Sequence, residues 1–176
     1  MSYSASAPAT LETDVKTVWV PTIANIKAPT LTELTATGVV EIGQWIVADG
    51  WKPTRAQSFI DDAREGYGTV GKIAGPKTWD NTSVQITDNV NADEGTPNVA
   101  AKTLIPGASG YFVRRRSVLK AASDPFAAGE LVSVIKATIT DKEPVAHAGN
   151  TRMQSVIYFN IDPQSTNEES TVAAGA

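Results

Sequence analysis

The sequence predicts a mainly β fold, an antiparallel β-sandwich or barrel with one flanking α-helix, and two observations support this class. Apolar and polar residues alternate along 131–140 and 152–161, and a period of two is typical of half-buried antiparallel strands. Elsewhere, short β-prone runs lie between turn-forming residues, with room for one or two short helices. The 176 residues, 41% of them hydrophobic, suit one domain with one sizeable core.

The first part of the chain predicts short strands separated by proline and glycine. A strand at 17–20 ends at Pro21, because proline cannot continue the ladder. Residues 30–33, Thr-Leu-Thr-Glu, have the spacing of a capping box and predict one helical turn. Two further strands are expected at 38–42 and 45–47.

The middle of the chain predicts a long, projecting hairpin whose loop spans about 57–75. This segment is rich in glycine and polar residues, but Phe59, Ile60 and Tyr67 are too apolar for a bare linker. Long loops in compact domains are usually functional, so this segment is a candidate contact site. A strand at 79–87 is expected to follow.

The second half of the chain predicts the one substantial helix and the best strands. The helix is expected at 97–104, because proline suits a first helical position and two carboxylates lie just upstream. Strands follow at 110–119, 131–140 and 152–161.

The two ends of the chain differ in composition from the interior. Residues 1–14 are small and polar without periodicity, and 163–176 are similar, so we expect a flexible arm and a flexible tail around one β domain at 15–162. The start lacks the basic and apolar segments of a secretory signal, and no stretch reaches the length of a membrane span.

Composition excludes several classes of function. The net charge of -4 and pI near 5.0 give no electrostatic footprint for nucleic acid or anionic membranes. The absence of cysteine excludes disulfides, thiolate metal sites and a cysteine nucleophile, and is consistent with synthesis in a cytosol. No cofactor is expected.

The residues that could support catalysis do not form a recognisable cluster. His147 is the single histidine, and there is no Gly-x-Ser-x-Gly elbow to complete a triad. One histidine without cysteine makes a zinc site implausible. Asp61 and Asp62 are adjacent carboxylates in a loop, although a hydrolase built from distant carboxylates stays open. The glycine pattern at 66–71 lacks the βαβ unit that dinucleotide binding requires.

Three consecutive arginines, residues 114–116, lie within a predicted strand. Arg114 and Arg116 would share one face and Arg115 the other. In an acidic protein, pairing with carboxylates at a surface or interface is favoured over nucleic-acid binding.

The remaining alternative from another class is a carbohydrate-binding β-sandwich. Trp45, Trp51 and Trp79 would then be exposed and stack on sugar rings.

Several motifs resemble a known family. Residues 19–25, Trp-Val-Pro-Thr-Ile-Ala-Asn, and 28–35, Ala-Pro-Thr followed by an acidic turn, resemble the opening of major tail proteins of long-tailed, non-contractile actinobacterial phages. Gly50-Trp51 resembles that family's Gly-aromatic pair, and 103–113 resembles its helix end, Pro-Gly turn and following strand. The resemblance covers about 17–161 and fades between about 55 and 80.

The resemblance implies a structural, non-enzymatic virion protein made in the host cytoplasm. Subunits would join their sheets into hexameric rings that stack into a tail tube, through which DNA passes without specific binding. The implied partners are other copies of the chain and the tape measure, tail terminator and baseplate proteins. A tail terminator or head decoration protein is the closest alternative.

On this interpretation we expect three groups of assembly residues. Arg114 and Arg116 would pair with acidic residues of neighbouring subunits. Weaker candidates for an acidic channel face are Asp61, Asp62, Glu41 and Asp80. The expected inter-ring loop residues are Phe59, Ile60, Asp61, Asp62, Arg64 and Tyr67.

Overall fold

A computed structural model describes residues 14–89, 98–146 and 149–175. Ten strands, two short α-helices and one 3-10 turn form the described part of the chain. In chain order they are β1 (Val15–Val20), α1 (Leu31–Leu34), β2 (Val40–Glu41), the 3-10 turn Gly43–Trp45, β3 (Ile46–Trp51), β4 (Thr54–Asp62), β5 (Gly71–Asp80), β6 (Ser83–Thr87), α2 (Val99–Thr103), β7 (Ser109–Arg116), β8 (Leu131–Pro144), β9 (Gln154–Ile161) and β10 (Ser170–Thr171).

One antiparallel sheet carries the fold, with strand order β2-β1-β7-β8-β9-β6-β3 and with β10 beside the start of β8. The predicted mainly β, antiparallel class is confirmed, and the layers resemble a sandwich. Among the described residues β2 pairs with β1 alone and β3 with β6 alone, so the sheet does not close into a barrel.

The first core lies on one face of the sheet and is built around aromatic rings. The ring centroids of Trp19 and Phe112 are 4.7 Å apart, and those of Phe112 and Phe159 are 4.9 Å apart. Gly110 permits this packing, because a Cβ atom there would lie 2.6 Å from the Trp19 indole. Apolar residues from five strands and α2 complete the core, among them Val84, Ile86, Leu104, Ile135, Ile139 and Ile157.

The second core lies on the opposite face of the sheet. Val18, Val113 and Val134 pack there against Leu34 of α1 and Phe126 of the loop after β7. The start of β8 is therefore buried on both faces, and the half-buried alternation predicted for 131–140 begins only beyond its first few residues. A strand covered on both sides reads as a continuous apolar run.

A capping box positions α1, and α2 lies within the predicted helical segment. Thr30 Oγ1 accepts a hydrogen bond from Glu33 N at 3.2 Å and Glu33 Oε2 accepts one from Thr30 N at 2.8 Å, as the predicted capping box requires. Burial alone would raise the pKa of Glu33, but hydrogen bonds from Ala24 and Thr30 outweigh it and lower that pKa. The predicted helix at 97–104 is observed as α2, Val99–Thr103, and its predicted first residue lies outside the described residues.

A buried polar network ties α2 to the sheet. The Asp88 carboxylate accepts hydrogen bonds from Asn98 at 3.1 Å and Ser155 at 2.8 Å, and lies 2.6 Å from Lys142 Nζ. Burial opposes ionisation, but these donors outweigh it and the pKa of Asp88 is lowered. Through Asp88, the network links Asn98, the residue before α2, to Lys142 of β8 and Ser155 of β9.

The predicted long hairpin is present as β4 and β5, which pair from Thr54 opposite Asp80 to Asp62 opposite Gly71. The single strand predicted at 79–87 is divided instead between β5 and β6. The division falls at Asn81, whose φ of 52° turns the chain out of the extended region.

The C-terminal segment corrects the expectation of a flexible tail from residue 163. Thr166 N donates to Val134 O at 2.9 Å, Ser170 Oγ donates to Ile26 O at 2.7 Å, and Val172 is 1% exposed in the second core. Small polar residues suit this position because their hydroxyls bond to neighbouring backbone. Residues 163–175 are called the C-terminal strap below. The expected N-terminal arm lies almost wholly outside the described residues.

Candidate assembly surfaces

The hairpin exposes apolar side chains on both of its faces. Because alternate residues of a strand share a face, Phe59 lies beside Ala74 on one face and Ile60 beside Ile73 on the other. Phe59 and Ile60 are each 59% exposed, and Tyr67 near the tip is 73% exposed. Exposed apolar side chains on both faces make the hairpin a candidate contact surface.

The two adjacent carboxylates of the hairpin are held differently. Arg64 binds Asp62 through two nitrogen atoms, each 2.9 Å from a carboxylate oxygen. Asp61 has a weaker neighbour in Lys72, at 3.8 Å with both side chains 69% exposed. Asp61 is therefore the carboxylate of this pair that a partner can engage more readily.

The base of the hairpin is attached to the body of the domain by Arg55. Its guanidinium lies 5.3 Å from the Trp79 ring and 2.8 Å from a carboxylate oxygen of Glu169 in the C-terminal strap. Trp79 itself packs against the first core. The strap therefore helps to set the direction in which the hairpin leaves the sheet.

Arg114 and Arg116 share a face of β7, as predicted, but their surroundings differ. Arg116 donates through Nε and through Nη2, the latter at 2.7 Å, to the two carboxylate oxygens of Glu168. That hydrogen bonding raises the pKa of Arg116 and lowers the pKa of Glu168. The acidic partner expected for Arg116 on another subunit is thus supplied by its own chain.

Arg114 stacks over the Trp51 ring, 4.7 Å from its centroid. Among the described residues no hydrogen bond or ion pair joins its guanidinium to a carboxylate. Burial and the nearby charge of Arg116 lower the pKa of Arg114 to about 10, partly offset by Glu168. Within the described part of the chain, Arg114 is therefore a half-buried cation that no carboxylate binds directly, although Glu168 is near enough to interact with it electrostatically.

The third arginine forms a buried site that the sequence did not reveal. Arg115 lies directly opposite Lys16 on β1, and both side chains are buried. Arg115 donates to the backbone oxygens of Pro125 at 2.9 Å and Ala121 at 2.7 Å, and Lys16 donates to Ala122 O at 2.9 Å. The loop after β7 thus supplies backbone oxygens to two adjacent buried cations. Two like charges side by side in a sheet repel each other, and these hydrogen bonds offset the cost of burying them.

A cleft lies between β1 and β2 on one side and β3 on the other, where the sheet fails to close. Its volume is about 550 Å³. We call it the edge cleft. Apolar residues, one cationic residue and two acidic residues line it, and the lining includes Val15, Ile46, Val47, Trp51, Arg114, Glu41 and Asp49.

The sequence model of the phage tail tube protein family matches residues 8–175, nearly the whole chain. The chain belongs to this family. The predicted membership of a tail tube protein family is confirmed, and the match includes the segment between about 55 and 80 where the motif resemblance fades. A comparison with curated protein sequences finds no match.

Family membership makes the chain a structural protein of the phage tail, which self-assembles into a tube with other tail proteins, and not an enzyme. The described residues contain no group of three or more acidic or histidine side chains that could hold a metal ion, and His147 lies outside them. No described helix has the length and apolar character needed to span a membrane.

The tryptophans of this tail tube protein do not form a sugar-binding platform. Trp45, Trp51 and Trp79 are partly buried against the first core, and Trp51 meets Phe112 edge to face at 5.6 Å. The expectation that they are exposed is wrong, because all three rings pack against the first core.

The four carboxylates expected on a channel face do not form one patch within a chain. Asp61 and Asp62 lie near the hairpin tip, whereas Asp80 lies opposite Thr54 at its base. Glu41 lies on β2, 3.3 Å from Lys16 Nζ.

Proposed function

We propose that this chain forms hexameric rings that stack into the tail tube through which the phage DNA leaves the particle. The observation that carries the proposal is the combination, in a tail tube family member, of an open sheet with a hairpin that is apolar on both faces. Both features leave bonding capacity that a second copy can satisfy.

Lateral contacts would use the two edges of the sheet. The outer edges of β2 and β3 have no strand partner among the described residues. Edge-to-edge pairing between copies satisfies exposed backbone groups, and closed rotational symmetry keeps that pairing from becoming unlimited aggregation. The inner surface of the ring would then be a continuous sheet.

Axial contacts would use the hairpin. Phe59, Ile60 and Tyr67 supply apolar area, while Asp61, Asp62 and Arg64 supply charge at the same end. An isolated two-stranded hairpin is marginally stable in water, so ordering between rings would stabilise it. Hydrogen exchange in the hairpin is expected to be fast in the monomer and slow in tubes.

The charge of the subunit suits a channel for DNA. The chain carries a net charge of -4, and DNA affinity grows with the number of cationic phosphate contacts. Arg116 is neutralised by Glu168 and Arg115 is buried, so two of the three consecutive arginines are withheld from phosphate. We propose that Glu41, Asp61, Asp62 and Asp80 contribute to the acidic lumen.

The proposal extends to the particle. The tube would contact a tape measure protein inside it, a tail terminator at one end and a baseplate at the other. A long, non-contractile tail and an actinobacterial host rest on the motif resemblance alone.

Electron microscopy of negatively stained protein tests the proposal, together with sedimentation-velocity experiments at protein concentrations on the order of tens of micromolar. Tubes or open polymers are expected, whereas a terminator would stop at one ring. Replacing residues 57–75 with a short turn should leave a folded domain that cannot stack. A strictly monomeric protein at every concentration and salt, or normal tubes from the shortened variant, would contradict the proposal.

A further inference from the structure

Two grooves flank the turn at residues 167–169 of the C-terminal strap. The first, with a volume of about 210 Å³, lies between the strap and the strands β7 and β8. The second, with a volume of about 260 Å³, lies between the strap and the base of the hairpin. Asn167 lines both, so the two grooves adjoin at the strap. We call them the strap grooves.

Four cationic residues line the strap grooves, and they are Arg114 and Arg116 in the first and Arg55 and Lys77 in the second. The Arg114 guanidinium lies 4.7 Å from the centroid of the Trp51 ring, and the Arg55 guanidinium lies 5.3 Å from that of the Trp79 ring. Stacking on a ring orients a guanidinium while its N–H edge stays able to bind a phosphate through two hydrogen bonds. The four cations therefore form a surface with the chemistry of a phosphate-binding site.

The carboxylates that line the strap grooves both belong to the strap, one in each groove. Glu168 accepts hydrogen bonds from Nε and Nη2 of Arg116, the latter at 2.7 Å. Its charge also interacts with that of Arg114. Glu169 accepts a hydrogen bond from Arg55 Nη1 at 2.8 Å. The donors that would bind phosphate are thus engaged by carboxylates of the same chain.

The turn that carries both carboxylates has a backbone conformation that is unusual for glutamate. Glu168 has a φ of 57°, in the left-handed region, where a side chain other than glycine persists only if its surroundings hold it. Here Glu168 N donates to Ser133 Oγ at 2.9 Å, and Ser133 Oγ donates to Asn167 Oδ1 at 3.1 Å. The turn is therefore anchored to β8, and its two glutamates enter different grooves.

We infer that the C-terminal strap masks a DNA-binding surface, with Glu168 and Glu169 acting as internal counter-anions that keep the four cations of the strap grooves from binding backbone phosphates. Arg114 also lines the edge cleft beside Glu41 and Asp49, so it is the least available of the four cations. The masking is a property of the single chain. Its importance for the free passage of DNA rests on the proposed function.

Binding of a fluorescently labelled DNA duplex to the full chain, measured by anisotropy over a range of salt concentrations, tests the inference. Glu168→Gln with Glu169→Gln keeps the size of both side chains but removes the counter-anions. This variant should bind DNA at least about 10-fold more tightly than the unaltered protein at low salt. The slope of log affinity against log salt should steepen by about 2, because each added phosphate contact contributes about 0.9.

The matched control is Glu65→Gln with Glu143→Gln, which removes the same number of negative charges at two exposed positions that do not line the strap grooves. It should bind DNA as weakly as the unaltered protein, because charges farther apart than a Debye length of about 10 Å at 0.1 M salt are largely screened. Adding Arg55→Gln and Arg116→Gln to the unmasked variant should return its affinity to that of the unaltered protein.

The inference would be overturned by the absence of a gain in the unmasked variant, by an equal gain in the control, or by a gain that persists without the two arginines. If the unmasked variant lacks the circular dichroism spectrum of the folded protein, Glu169→Gln alone decides. It should bind DNA about 3-fold more tightly with a slope steeper by about 1, and no change would refute the masking. These measurements use dilute protein and need no tubes, so the proposed function stands or falls separately on tube formation.

Discussion

Val172 lies in the C-terminal strap and is 1% exposed in the second core. Its backbone N donates to Glu130 O at 2.9 Å and its carbonyl accepts from Gly129 N at 2.8 Å. Val172→Ala keeps both backbone hydrogen bonds, so the substitution removes side-chain packing alone. The stability of this variant therefore tests directly whether the strap is part of the folded core.

The expected cost follows from the two methyl groups that the substitution removes from a buried site. Each buried methylene-sized group contributes about 0.8 kcal/mol, and the residual cavity adds to the loss, giving about 2 kcal/mol in total. For a domain of this size that corresponds to a decrease in Tm of about 4 to 8 °C. Denaturant unfolding of the monomer, followed by tryptophan fluorescence, measures the free energy of unfolding.

The matched control is Val70→Ala, because Val70 is 61% exposed near the hairpin tip. It should change the free energy of unfolding by less than about 0.5 kcal/mol. A Val172→Ala variant as stable as the control would refute the conclusion that residues 163–175 are built into the core.

Three further predictions concern polar groups next to the helices. Asp88→Ala should destabilise the monomer by about 3 kcal/mol, because Lys142, Asn98 and Ser155 lose their shared acceptor. Denaturant unfolding measures the change in the free energy of unfolding, and a loss below about 1 kcal/mol would count against the network. The pKa of Asp88 is lower in the folded state than in the unfolded state. Its contribution to the free energy of unfolding is therefore fully present above the unfolded pKa of about 4 and is lost as the pH falls through the folded pKa. Asp88→Asn should make the free energy of unfolding depend less on pH in the acid range. Thr30→Ala should cost about 1 kcal/mol through loss of the capping box, measured in the same way, and an unchanged midpoint would show that the cap contributes nothing.

Signals confined to a few neighbouring residues predicted local structure well. The capping box at Thr30 and Glu33, the hairpin around Phe59 and the strands β7 and β9 all appear where short-range patterns indicated them. Each depends on residue types and spacing within a short segment, and those are visible in sequence.

The candidate site was predictable in part. Exposed apolar residues in a glycine-rich segment indicated the hairpin as a contact surface. The edge cleft was not predictable, because its walls come from β1, β3 and β7, which meet only in the folded sheet. Lys16 was missed for the same reason, since its neighbours Arg115 and Ala122 lie far along the chain.

The three arginines show most clearly what only the tertiary structure decided. The sequence by itself determined a mainly β tail tube protein without catalytic groups, and it placed Arg114 and Arg116 on one strand face. Which of them is paired depends on the C-terminal strap, because the strap brings Glu168 to Arg116. The strap is held in place in part by Ser170, which donates a hydrogen bond to Ile26, 144 positions away in the chain. Small polar residues carry no periodic signal that distinguishes a tail from a strap, because their stabilisation comes from backbone groups brought near by folding.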